Sequence, residues 1–126
     1  MKELEYPFDA AYIIKKRKSL KKALLADGTS RIRKKIAVFG GSTTSDIVKT
    51  LELFLLDAGI EPEFYESEYA QYFQDAMFPD ETLLSFKPDI VFIHTTNRNV
   101  TDWPEMTDTT EQIDEKLHTE INRFTA

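Results

Sequence analysis

The stretch Ile36-Ala37-Val38-Phe39-Gly40-Gly41-Ser42-Thr43-Thr44 decides the fold of this chain. Its first four residues are all apolar, which is typical of a β-strand buried on both faces of a parallel sheet. The two glycines let the backbone turn sharply, and the hydroxyl residues after them can begin a helix. Apolar residues then recur at helical spacing from Ile47 to Leu55, before Gly59. The stretch therefore predicts a strand–turn–helix unit.

Two more strands are predicted further along the chain. One follows Pro62 as Glu63-Phe64-Tyr65-Glu66, and the other is the apolar run Ile90-Val91-Phe92-Ile93. Strands that alternate with helices at these lengths predict a parallel sheet with helices on both faces, which is a three-layer, flavodoxin-like α/β fold. In a doubly wound strand order the third strand lies at an edge, although its composition suits an interior position. We therefore expect an incomplete sheet of about three strands, whose edge a following domain, a second copy or the N-terminal segment covers.

Two helix starts are also predicted. Ser67 is expected to cap a short aromatic helix that runs through Tyr69 to Met77. The last helix is expected to begin at Asp108, with Glu111 completing a capping box.

The composition narrows the class of protein. A chain of 126 residues with 41% hydrophobic residues can build one core. No run approaches the roughly 18 apolar residues of a membrane span, and the start does not resemble a signal peptide, so a cytoplasmic chain with no membrane contact is expected. With no Cys and only two His, the chain cannot form disulfides or thiolate metal sites, and no metal ligands are predicted.

The charges divide the chain into two parts. Residues 1–35 hold 11 Lys or Arg against 4 acids, a balance of +7, whereas residues 36–126 hold 5 against 18, a balance of −13. The first part is predicted to be a basic N-terminal segment with a helix from Phe8 to Ala26, and the second an α/β domain, together forming one structural unit. The segment either packs on the acidic body or docks an anionic partner. Nucleic acid is not expected, because the acidic body would repel phosphates.

Polar residues follow two of the predicted strands, at the edge where parallel sheets bind ligands. After the first strand, Gly40, Gly41, Ser42 and Thr43 are expected near a helix N-terminus, where N–H groups favour an anion or an oxyanion. After the third strand come Thr96, Asn97 and Arg98. An Asn amide can donate to an oxyanion, and Arg98 can hold a carboxylate or phosphate. We expect the two clusters to face each other.

These residues resemble a known family. The run from Ile36 to Thr44 resembles the first block of the SGNH hydrolases, in which a strand ends in Gly-Asp-Ser with the Ser as nucleophile. The run Pro88-Asp89-Ile90-Val91-Phe92-Ile93-His94-Thr95-Thr96-Asn97-Arg98 resembles the later block, whose Asn completes the oxyanion hole. The resemblance implies Ser42 as nucleophile and Asn97 as oxyanion donor. It departs from the family in having Gly41, Thr95 and Arg98 at motif positions and in lacking the Asp-x-x-His block.

A closer resemblance covers nearly the whole chain. The quoted blocks, together with Tyr6-Pro7-Phe8-Asp9-Ala10-Ala11-Tyr12 and the run from Pro62 to Tyr69, resemble the N-terminal region of FkbH-like proteins of HAD subfamily IIIC. In that family such a domain precedes a HAD domain, which can hold Mg²⁺, and some members help to transfer a glyceryl unit to an acyl carrier protein. This chain lacks the HAD motif Asp-x-Asp, so the resemblance implies no cofactor within the chain itself.

The general base is the open question of this interpretation. His94 directly follows the third strand and is the nearer candidate, whereas Asp114 and His118 share a helix face that is expected to be exposed. The leading hypothesis is an SGNH-like domain that supports acyl or glyceryl transfer to a carrier protein without turnover on its own. The alternatives are a self-sufficient serine esterase or acyltransferase, and a non-catalytic module that docks a carrier protein.

Overall fold

A computed structural model describes residues 1–68 and 72–126 of the chain. The described residues form an α/β fold with a three-stranded parallel sheet in the order β2-β1-β3, which confirms the predicted fold class. The strands are β1 (Ile32–Gly40), β2 (Ile60–Glu66) and β3 (Ile90–His94). The α-helices are α1 (Ala10–Ala26), α2 (Ser45–Asp57), α3 (Tyr72–Met77), α4 (Glu81–Phe86) and α5 (Thr110–Thr125).

The chain divides into two compact units, Met1–His94 and Thr95–Ala126. The first unit holds the sheet with α1 to α4, and the second holds a 3₁₀ turn (Asn97–Asn99) and α5. The predicted division into residues 1–35 and 36–126 rests on charge and stays a prediction. Among the described helices, none combines the length and the apolar composition that a bilayer crossing requires.

Strand β1 lies at the centre of the first unit. Ile36 and Val38 pack on one face with Val48 of α2, whereas Ala37 and Phe39 pack on the other face with Leu83 of α4. Successive strand residues point to opposite faces, so a run without polar residues suits a strand covered on both sides. The observed burial of β1 therefore matches the expectation from its sequence.

Helix α1 forms an additional layer on the outside of α2. A cluster of buried leucine and isoleucine side chains joins the two helices: Leu4, Ile13, Leu20, Leu24, Leu53 and Leu56. Ion pairs flank this cluster, with Arg17 Nη1 at 3.0 Å from Asp46 Oδ1 and Lys21 Nζ at 2.6 Å from Glu52 Oε1. The basic helix thus packs on α2 through apolar contacts and opposite charges, which is one of the two roles its sequence left open.

Strand β3 lies at an edge of the sheet, as predicted. In the described residues β1 is its one strand neighbour, and Ile90, Val91, Phe92 and Ile93 are 40% to 51% exposed. Their apolar composition fits a covered strand. The N-terminal segment packs on α2 instead, and cover of this edge by a following domain or a second copy stays a prediction.

Two predicted helix starts need correction. The Ser67 hydroxyl does not cap a described helix but accepts a hydrogen bond from the Gly40 N–H at 3.0 Å, and its own N–H donates to the Val38 carbonyl. The predicted helix position Tyr69 lies outside the described residues. Helix α5 is capped by Thr109 rather than Asp108, because the Asp108 carboxylate instead accepts from Lys116 Nζ at 2.6 Å.

Candidate functional site

The turn between β1 and α2 is built around Gly40. A Cβ atom at this position would lie 2.5 Å from Thr44 Cγ2 and 2.6 Å from the Ser42 carbonyl oxygen, both far inside van der Waals contact. Only glycine leaves room for the chain to fold back so closely on itself. Gly40 is therefore required because the turn leaves no space for a Cβ atom.

Hydrogen bonds tie this turn to both neighbouring strands. The Gly41 N–H donates to the His94 carbonyl at the end of β3, at 2.8 Å. On the other side, Gly40 donates to Ser67, which directly follows β2. The turn is thereby fixed at the carboxyl ends of all three strands, the edge where parallel sheets place ligands.

Ser42 lies in this turn and is partly exposed, three residues before the first residue of α2. It therefore lies in the turn just before the helix N-terminus and is not itself a helical residue. Thr44 is the N-cap residue, and its side chain makes no capping hydrogen bond. The first N–H groups of α2 consequently have no side-chain acceptor from this residue, and such groups attract an anion or a developing oxyanion.

His94 ends β3 and pairs with Gly40 in the sheet register. Among the described residues its Nδ1 atom is buried without a hydrogen-bond partner. In the same part of the chain no hydrogen bond joins His94 to Ser42. The imidazole therefore lies at the carboxyl end of the sheet, next to the β1–α2 turn. No described group forms a hydrogen bond with its Nδ1 atom.

The second unit presents the other predicted residues on a tight turn. Thr96 and Asn99 form a capping box, in which Asn99 Oδ1 accepts from the Thr96 N–H at 2.8 Å and Thr96 Oγ1 accepts from the Arg98 N–H at 3.2 Å. Asn99 is buried, whereas Asn97 and Arg98 are exposed. The turn thus supports two polar side chains that remain accessible to a ligand.

Glu120 of α5 holds the segment that follows this turn. It accepts hydrogen bonds from the N–H groups of Thr101 and Asp102, and Arg123 pairs with it at 2.7 Å while donating to the Asn99 carbonyl. Burial opposes ionisation of this carboxyl, but these donors outweigh burial and hold its pKa below the usual range. No local sequence pattern indicates this role, because a Glu in a helix is ordinarily a solvent-facing residue.

Several carboxylates lie around α3. Burial raises the pKa of Asp75, and the charges of Asp80 and Glu68 raise it further. The described residues contain no group of three or more His, Asp or Glu side chains arranged to hold a metal ion.

The predicted site residues divide between the two units. Residues 40–43 come together with His94 in the first unit, at the carboxyl edge of the sheet, whereas residues 96–98 belong to the second unit. The expected convergence of Ser42 with Asn97 stays a prediction.

Together, these features define an α/β protein with a parallel sheet and a polar turn at the carboxyl end of its central strand. No family model matches the chain, and no curated protein sequence matches it. Among solved structures it is similar to the N-terminal part of the protein BF1531 from Bacteroides fragilis, described as containing a phosphatase domain complexed with Mg, with a TM-score of 0.61 and 21% identity. The match covers 85% of this chain and 29% of that one, so the chain spans less than a third of the length of its neighbour. At this identity the likeness shows a shared fold.

Proposed function

We propose that this chain is an SGNH-like domain of an FkbH-like protein, which supports acyl or glyceryl transfer to a carrier protein and does not turn over alone. Ser42 contacts the acyl or glyceryl group, with Gly40, Gly41 and Thr43 shaping the turn around it. Asn97 donates to the carbonyl oxygen, and Thr96 and Arg98 hold the anionic part of the substrate.

The observation that carries this proposal is the β1–α2 turn. Its backbone is packed so closely at Gly40 that a Cβ atom has no space, and it is hydrogen-bonded to the ends of β2 and β3. A rigid turn next to uncapped N–H groups is the arrangement that stabilises negative charge on a substrate oxygen without reorganising. It is therefore suited to binding a carbonyl or a phosphorylated group.

The structural neighbour supports the multidomain part of the proposal. Its N-terminal part is described as containing a phosphatase domain with Mg, and it is much longer than this chain. A phosphatase-type domain elsewhere in the polypeptide would hold the Mg²⁺ and supply the phosphoryl chemistry for which this chain lacks the motif.

Binding of butyryl-pantetheine tests the role of Ser42. Calorimetry on the wild-type chain should show binding, and Ser42→Ala should weaken it about fivefold, since one hydrogen bond contributes on the order of 1 kcal/mol. Ser30→Ala is the matched control, because Ser30 is exposed in the loop between α1 and β1. Absence of binding, or equal affinity of Ser42→Ala and wild type, would contradict the proposed site.

The transfer step is tested in the full polypeptide by intact-mass analysis of the carrier protein. Ser42→Ala and Asn97→Ala should each lower the acyl or glyceryl load on the carrier, whereas Asn122→Ala, an exposed residue of α5, should leave it unchanged. Full loading of the carrier by both variants would show that neither Ser42 nor Asn97 is needed for the transfer.

A second candidate function is a self-sufficient serine esterase that uses Ser42 with His94 as the base. The buried Nδ1 atom of His94, for which the described residues offer no partner, favours this alternative because the ring is not committed to a structural hydrogen bond there. A fluorophosphonate probe should then label Ser42, and His94→Gln should abolish labelling. No adduct by intact mass would exclude the esterase.

A further inference from the structure

The basic residues of α1 fall into two groups with different surroundings. Arg17 and Lys21 face α2 and pair with its carboxylates. Lys15, Lys16, Lys18 and Lys22 are exposed and make no ion pair within the described part of the chain. The second group therefore carries positive charge that packing on α2 does not use.

Two exposed apolar residues accompany these lysines. Ile14 is 57% exposed and Leu25 is 50% exposed. At about 100° per residue, both fall with Lys15, Lys18 and Lys22 within about 100° of the helix circumference. Their separation along the axis is about 16 Å, or three helical turns. We call these five residues the lysine face of α1.

An open cleft lies beside this face, between α1 and α2. Its volume is ≈ 560 Å³, and its lining includes Ile14, Lys18 and Lys49. Lys49 of α2 is exposed and adds a cation from the second helix, while Glu52, which also lines the cleft, is paired with Lys21. The cleft is large enough for apolar side chains of a partner, with cations around it.

We propose that the lysine face docks an acidic helix of a partner protein. Carboxylates of that helix pair with Lys15, Lys18 and Lys22, and its apolar side chains contact Ile14 and Leu25. The surface is separate from Ser42, and the argument for it does not use the chemistry of that residue. Only the choice of an acyl carrier protein as the binding probe rests on the proposed function.

Other anionic partners fit this surface less well. A nucleic acid offers phosphates but no apolar side chains for Ile14 and Leu25, and the −13 charge of residues 36–126 repels it. A membrane surface requires a wide apolar face, whereas the apolar stripe of α1 is buried against α2 through Ile13, Leu20 and Leu24. An acidic protein helix satisfies both the lysines and the two apolar residues.

Fluorescence anisotropy with labelled acyl carrier protein tests the docking. The triple variant Lys15→Glu/Lys18→Glu/Lys22→Glu should weaken binding about tenfold or more, since each exposed ion pair contributes up to a few-fold. Raising the salt from about 50 mM to about 500 mM should weaken wild-type binding similarly. The uncharged change Ile14→Ser/Leu25→Ser should weaken binding at both salt concentrations.

Matched variants separate this surface from a general charge effect and from the Ser42 site. Lys18→Glu and Lys34→Glu change the net charge equally, and Lys34 is an exposed residue of β1, so only Lys18→Glu should weaken binding. Ser42→Ala should bind the apo carrier protein, which has no pantetheine arm to reach Ser42, like wild type even if transfer fails. Equal weakening by the two lysine variants, or no binding of the carrier and of a 16-residue Glu/Leu helical peptide, would overturn the proposal. The proposal would also be overturned if the wild-type chain bound RNA or anionic vesicles more tightly than the carrier protein and the triple variant lost that binding.

Discussion

Replacing Gly40 by alanine should destabilise the first unit and distort the turn that carries Ser42. The new Cβ atom would lie 2.5 Å from Thr44 Cγ2 and 2.6 Å from the Ser42 carbonyl oxygen. Overpacking of a buried position costs typically 1–3 kcal/mol, and one of these two contacts is with backbone, which moves less readily than a side chain. We therefore expect a loss of about 3 kcal/mol in the free energy of unfolding, at the upper end of that range.

A second substitution separates the two contacts. Thr44→Ser removes the Cγ2 atom and should by itself cost about 1 kcal/mol, because Thr44 is buried. In the Gly40→Ala background the same change relieves the clash with Cγ2 but leaves the one with the Ser42 carbonyl. The double variant should therefore be more stable than the sum of the single effects, by about 1 kcal/mol in a double-mutant cycle.

Urea unfolding followed by far-UV circular dichroism measures these changes. With a slope of about 2 kcal/mol per molar, Gly40→Ala should lower the midpoint by about 1.5 M. Gly28→Ala is the control, since a Cβ atom there meets nothing within 4 Å and its cost of about 1–2 kcal/mol comes from a φ of +70° alone. If Gly40→Ala unfolds within 0.5 kcal/mol of wild type, the close packing of the turn is refuted.

Three further predictions concern the core, the sheet edge and α5. Leu53→Ala should lower the unfolding free energy by about 3 kcal/mol, because Leu53 is 1% exposed between α1 and α2; a loss under 1 kcal/mol in urea would contradict this packing. Asp89→Ala should speed amide exchange of Lys35 about fivefold, since the Asp89 carboxylate accepts that N–H at 2.8 Å; unchanged exchange would contradict the bond. The pKa of Glu120 is lower in the folded chain than in the unfolded chain, so the ionised carboxylate stabilises the fold at a pH above its pKa in the unfolded chain. This stabilisation is lost as the pH falls through its pKa in the folded chain. Fluorescence of Trp103 should therefore change when acidification passes below the usual range of a glutamate carboxyl, and Glu120→Gln should remove that step.

The sequence predicted the architecture because the deciding signals are local. The apolar run at Ile36 and the paired glycines after it specify a buried strand and a sharp turn without reference to the rest of the chain. Strand boundaries were less accurate. β1 begins at Ile32, within the basic N-terminal segment, rather than at Ile36, because those residues pair with β2 through their backbone. Pro62 lies inside β2 rather than before it, which an edge strand tolerates.

The candidate site was predicted in part. The position of Gly40, Ser42 and His94 at one edge of the sheet follows from where parallel strands end. The roles of Ser67 and Glu120 depend on residues 27 positions and about 20 positions away in the chain, respectively, and no local pattern encodes such contacts. The edge position of β3 was predicted from the strand order, whereas the composition of the strand alone favours an interior position.

Backbone amide shifts during titration with butyryl-pantetheine test the central claim most directly. In the ¹⁵N-labelled chain, the largest shifts should fall on residues 42–47, which include the turn and the first N–H groups of α2, and on the side-chain amide of Asn97. Shifts confined to other residues, or none at saturating ligand, would contradict a substrate site at the carboxyl end of β1.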